Sequence, residues 1–153
     1  MSALGRSPNA LRVLLVEDSP GDVRLTKEAF RGVNQGIDLS VVTDGMQAME
    51  FLRHEGRYAD EPYPDIILLD LNLPRMDGRE VLAQIKDDEL LKLIPTIILT
   101  TSSAESDILK SYMLRANCYL NKPVQLDAFE ALVGSINDFW LTKVKLPVLD
   151  PSA

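Results

Sequence analysis

The sequence predicts an α/β fold: one parallel sheet of five strands, covered by helices on both faces. Three observations lead there. Short apolar runs alternate along the whole chain with stretches of helical period. Acids or a hydroxyl close three of those runs and a lysine follows the fifth, at the rim where an open parallel sheet places its binding sites. The chain has 153 residues, the size of one domain with a full apolar core rather than of two domains.

Each element has its own signal. Arg12-Val13-Leu14-Leu15-Val16 is aliphatic and β-branched, ends at acids, and reads as a buried first strand. Ser19-Pro20 marks a helix entrance, with Ser as the cap and Pro in the first turn. Val23, Ala29, Phe30 and Val33 supply that helix with an apolar face, and Gly36 follows it as a stop. Leu39-Ser40-Val41-Val42 is a shorter strand, and Met46, Met49, Phe51 and Leu52 carry the second helix. His54 to Pro64 is polar, holds two prolines, and is expected to be a loop. Ile66-Ile67-Leu68-Leu69 is the most apolar strand and closes on Asp70; Asp77-Gly78 then opens a helix that buries Val81, Leu82 and Ile85. Thr96 to Thr100 is the fourth strand, and Ile108, Leu109, Tyr112 and Met113 lie on the fourth helix. Cys118-Tyr119-Leu120 is the fifth strand, and Leu126, Phe129, Leu132, Val133, Ile136 and Trp140 give the last helix its strong period.

The domain is expected over residues 11–141, with a flexible N-terminus over 1–10 and a tail over 142–153. Lys and Arg number 16 against 23 Asp and Glu, a net charge of -7 that excludes a general grip on nucleic acid. Cys118 is the only cysteine, so the chain has no disulfide framework, and a reducing, cytoplasmic location is expected. Met1 to Leu11 shows no signal-peptide pattern, and no apolar run reaches membrane-spanning length.

The chemistry lies in what the fold brings to one rim. Glu17 and Asp18 end the first strand, Asp70 the third and Thr100 the fourth, and Lys122 follows the fifth. Singly, each has an ordinary explanation as a cap, a strand-end hydroxyl or a solvated charge. Together they do not, because three clustered acids repel one another unless cations neutralise them. A hard cation such as Mg²⁺ takes oxygen ligands and keeps several waters, so Asp18, Asp70 and the carbonyl of Asn72 could hold it. Asp70 could then act as nucleophile toward a phosphoryl group, with the cation and Lys122 neutralising the transferred charge and Thr100 bonding a phosphoryl oxygen.

The motifs Val16-Glu17-Asp18-Ser19, Leu69 to Pro74 with Met76-Asp77-Gly78, Leu99-Thr100-Thr101-Ser102, and Asn121-Lys122-Pro123 resemble those of receiver domains of two-component response regulators. The resemblance runs from about Leu11 to Trp140. It implies the flavodoxin-like (βα)5 sandwich with strand order 2-1-3-4-5, and a protein that is no enzyme beyond its own phosphorylation and dephosphorylation. It implies Asp70 as the phosphoacceptor and Asp18 as a direct Mg²⁺ ligand, with Glu17 acting through water. Thr100 becomes the switch hydroxyl, Tyr119 the switch aromatic and Lys122 the phosphate-facing cation, with the bond before Pro123 cis. Glu17 departs from the family, which often has Asp there. The Glu-Asp-Ser-Pro-Gly-Asp start, the Thr-Thr-Ser-Ser after the fourth strand and the Phe139-Trp140-Leu141 ending resemble, more narrowly, the phytochrome-associated response regulators. These are stand-alone receivers served by a red-light sensor histidine kinase.

Other readings fare worse. A haloacid-dehalogenase-type phosphatase needs a second carboxylate two residues after the nucleophile, and Asn72 stands there. A phosphate-independent pseudo-receiver is expected to have lost an acid, the Thr or the Lys, and all are present. A flavodoxin-like cofactor binder needs an anion cradle where this chain has Asp18-Ser19-Pro20. His54 is expected to be structural and Cys118 to be packed core. Output is expected through protein contact with an unknown target. A homodimer is expected on the face of the fourth helix, fifth strand and fifth helix. The apolar tail Val144, Leu146, Val148 and Leu149 is expected to take part, or else to fold back on its own domain.

Overall fold

The computed structural model describes residues 11–33 and 36–149. The elements run β1 (Leu11–Val16), α1 (Pro20–Val33), β2 (Ile37–Val42), α2 (Gly45–Leu52), β3 (Ile66–Leu69), α3 (Gly78–Asp87), β4 (Thr96–Thr100), α4 (Glu105–Met113), β5 (Cys118–Asn121) and α5 (Leu126–Trp140). The five strands are parallel in the order β2-β1-β3-β4-β5, the flavodoxin-like order. The N-terminus over residues 1–10 and the last four residues of the tail lie outside the described residues.

Strand alternation divides the interior into two cores. Leu14, Val16, Ile67, Leu69 and Ile98 face α2 and α3, packing on Met49, Leu52, Val81, Leu82 and Ile85. Val13, Leu15, Ile66, Leu68 and Ile97 face the other way, against Phe30 of α1 and Phe129, Val133 and Ile136 of α5. Every residue of β3 is 0% exposed, which is why this strand reads as an unbroken apolar run. Each such side chain contributes roughly 1.5–3 kcal/mol by leaving water.

Local chemistry starts the helices where the sequence indicates. Ser19 Oγ accepts from Asp22 N–H at 3.3 Å, and Pro20 takes the first helical position. Asp44 caps α2 by accepting from Gln47 N–H at 2.8 Å. Asp77 caps α3, accepting from Arg79 N–H at 2.9 Å.

Among the elements, the structure differs from the sequence reading at β2 and decides two points that the sequence left open, the burial of α4 and the course of the tail. β2 begins at Ile37, two residues earlier than Leu39, because Leu11 pairs with Ile37 at the start of the ladder. In α4 the buried residue is Ser111, while Leu109 and Met113 are 63% and 73% exposed, so its apolar side chains are not core. The tail turns back on its own domain. Leu141 is buried, Leu146 packs on the α1–α5 core, and Leu149 packs on the α2–α3 core. Val148, at 92% exposure, is left in water.

Candidate functional site

Five elements place their carboxyl ends at one rim, and the expected side chains meet there. Asp70 follows β3 and is buried. Its Oδ1 accepts from the Thr100 hydroxyl at 2.8 Å and from Asn72 N–H at 3.2 Å. Its Oδ2 accepts from the Lys122 ammonium at 2.8 Å. Lys122 extends the β4–β5 ladder, its own N–H donating to Thr100 O at 2.8 Å, and this register aims the ammonium at Asp70. No peptide bond among the described residues is cis. The bond before Pro123 is therefore trans, contrary to the cis bond that the resemblance implies, and Lys122 reaches Asp70 in that geometry.

Glu17 is buried and Asp18 exposed. Glu17 Oε2 accepts from Ser19 N–H at 3.1 Å, while Oε1 takes a short hydrogen bond from Lys122. Burial pushes the Glu17 carboxyl up to about 7; Lys122 opposes that shift and the Asp70 charge adds to it. Burial by itself would lower the Lys122 ammonium, but hydrogen bonds to Asp70, Glu17 and Asp22 outweigh it and hold it raised. The ammonium is firmly charged.

The residues fit a divalent cation. Carboxylate oxygens of Glu17, Asp18 and Asp70 lie within 4.8 Å of one another, an all-oxygen donor set suited to a hard cation. Asn72 is exposed beside them, its backbone tied to Asp70.

Asp22 is the residue that sequence reasoning missed. Its Oδ2 accepts from Lys122 at 2.9 Å, from one turn into α1. The only signal was its place in the Glu-Asp-Ser-Pro-Gly-Asp run, where a first-turn acid is explained equally well by the helix dipole.

Beside this cluster, Tyr119 donates to the Ser102 carbonyl at 2.9 Å, and Asn121 Nδ2 donates to the same oxygen. Ser102 in turn donates to Asp107 at 2.6 Å, and Asp107 pairs with Arg79 of α3 at 2.6 Å. The loop after β4, which carries Thr100, is thus tied to α3, α4 and β5. His54 stands elsewhere, edge-on to the Tyr63 ring at 4.4 Å, near the starts of the strands. Cys118 packs into the α1–α5 core.

Among the described residues no helix is long and apolar enough to cross a membrane. The chain is 48% identical over 135 residues to the response regulator Rcp1 of Synechocystis sp., covering 88% of this chain and 92% of that protein. The crystal structure of the phosphorylated cyanobacterial phytochrome response regulator RcpA is similar at a TM-score of 0.88 and 47% identity, covering 91% of this chain and 99% of that one. The Mn²⁺-bound form of Rcp1 is similar at a TM-score of 0.84 and 46% identity, covering 90% and 99%. Residues 13–134 match the response regulator receiver domain, and the chain belongs to that family.

Proposed function

We propose that this chain is the phosphoacceptor of a two-component relay. Asp70 takes a phosphoryl group from the phosphohistidine of a sensor kinase, a phytochrome by kinship with the phytochrome response regulator RcpA, and the result is read in the cytoplasm by protein contact. The observation that supports this reading is the convergence on one carboxylate: Asp70 is held by Thr100 on one oxygen and Lys122 on the other, with Glu17 and Asp18 alongside.

Asp18, Asp70 and the Asn72 carbonyl would hold Mg²⁺ directly, with Glu17 acting through a water. When bound, the cation supplies charge neutralisation for the transferring group. A carboxylate oxygen of Asp70 attacks phosphorus, and the new O–P bond forms as the P–N bond to the kinase histidine breaks. The electron pair of that bond leaves on the imidazole nitrogen. Lys122 is already positioned to neutralise the phosphoryl oxygens, and its raised affinity for a proton keeps it charged throughout. The chain acts on no substrate but itself.

The test is phosphoryl transfer from an autophosphorylated phytochrome-type kinase. With Asp18→Ala at limiting Mg²⁺, transfer should fall by about ten-fold or more, the usual cost of disturbing a metal site. Undiminished transfer in that variant would count against the site as assembled.

Switching follows from the same geometry. Once a phosphoryl oxygen competes for the Thr100 hydroxyl, its bond to Asp70 is exchanged, and the loop through Ser102 that anchors Tyr119 is displaced with it. Thr100→Ala should accept phosphate yet leave partner affinity unchanged on phosphorylation, read by titration of a kinase fragment with both forms. A normal affinity change would refute the coupling.

The chain is also proposed to pair with a second copy through the α4–β5–α5 face. Leu146 and Leu149 are occupied on their own domain, which leaves Leu109, Tyr112 and Met113 as the exposed apolar side chains of α4. Met113→Glu should shift the mass in light scattering from dimer toward monomer. A wild-type chain that is monomeric both with and without phosphate defeats this pairing.

A further inference from the structure

An ammonium has three N–H donors, and Lys122 directs all of them at carboxylates: Glu17, Asp70 and Asp22. The first two belong to the acidic group that could hold a cation. Asp22 does not. It is fixed on the first turn of α1 by two local bonds, its N–H to Ser19 Oγ at 3.3 Å and its carbonyl to Thr26 Oγ1 at 2.7 Å. Its side chain is 31% exposed, against 3% for Glu17 and 9% for Asp70. Together with Lys122 and Thr101 it lines a cleft of about 320 Å³.

The geometry points to Asp22 as a positioning residue that holds Lys122 in the resting site and yields it to the incoming phosphoryl oxygen. The inference rests on Asp70 being the acceptor. A saturated ammonium can take a new partner only by dropping one it has. Glu17, at 3% exposure, would lose this hydrogen bond with little access to water in its place, which is costly. Asp70 is the group that carries the phosphoryl. Asp22 alone can turn to water at little cost. It therefore competes with the phosphoryl group for Lys122, and it adds a negative charge against every anionic donor.

Removing that charge while keeping the shape should help the reaction. With Mg²⁺ present, Asp22→Asn should be phosphorylated by limiting acetyl phosphate about three- to ten-fold faster than wild type, the scale of one charged hydrogen bond that is partly in water. It should bind beryllofluoride, a reversible phosphoryl surrogate on aspartate, more tightly by a similar factor. Asp22→Glu should restore both values toward wild type, whereas a role in the helix turn alone would move only the thermal midpoint. Intact-mass kinetics and calorimetric titration read the two quantities. An Asp22→Asn protein that matches wild type or is slower overturns the inference while leaving Asp70 as acceptor. A wild-type chain that takes neither probe, like Asp70→Asn, overturns the acceptor reading and this inference with it.

Discussion

Asp70→Asn should take up no phosphoryl group from acetyl phosphate or from a kinase, at any Mg²⁺ concentration. The amide is isosteric and can still accept from Thr100, so the fold should survive with a stability change of only about 1 kcal/mol. What is lost is the charged, nucleophilic oxygen and one of the three oxygen-donating acids at the candidate cation site. Intact-mass spectrometry should show the added phosphoryl mass on wild type and none on the variant. The competing acceptors are Asp18 and Glu17. Asp18 is exposed, and Glu17 is already engaged by Lys122 and Ser19. Label that persists in the variant on either of them would remove Asp70 from its role.

Gly78→Ala should be nearly as damaging, though no atom of Gly78 takes part in the chemistry. A Cβ built there would lie 2.2 Å from the Asp70 carbonyl oxygen and 2.5 Å from Leu71 Cα. Both are backbone atoms that cannot rotate away. The start of α3 is drawn this close by the Gly78 N–H bond to Leu71 O at 2.9 Å. A methyl must push the two segments apart, costing about 2–4 kcal/mol of stability by overpacking and the loss of that bond. It also moves the backbone that carries the acceptor, and a displacement near 1 Å can cost about a hundred-fold in rate. Chemical denaturation and acetyl phosphate kinetics on one preparation would show both losses. Gly134→Ala is the matched control. Nothing lies within 4 Å of its added Cβ in the middle of α5, so it should be stabilising by about 0.5–1 kcal/mol. A Gly78→Ala protein as stable and as reactive as that control would show that the close approach is not needed.

The fold and most of the site were legible in the chain because the signals are local. Unbroken apolar runs and period-3.6 patterning mark strands and helices within a few residues, and Ser19-Pro20 and Asp77 announce helix starts through bonds to their own neighbours. A parallel sheet then gathers Glu17, Asp18, Asp70, Thr100 and Lys122 at one rim whatever the details of packing. Features that depend on long-range geometry were not legible. Asp22 lies 100 positions from Lys122, and only the folded chain, which brings the start of α1 to the residue after β5, shows that it is the third partner of that ammonium. The Met76-Asp77-Gly78 motif was recognisable, but its reason, a backbone contact with Leu71 and Asp70, exists only after α3 docks. The tail leucines were visibly too apolar for water, yet which surface would take them depends on where α5 ends relative to both cores. The sequence by itself determined the alternation of strands and helices and the acids that end the strands, since each follows from short-range propensity and burial, while the strand order came with the family resemblance. Tertiary structure alone decided the open apolar face of α4 and the sharing of one lysine among three carboxylates. Those are settled by the balance of contacts between elements far apart in the chain.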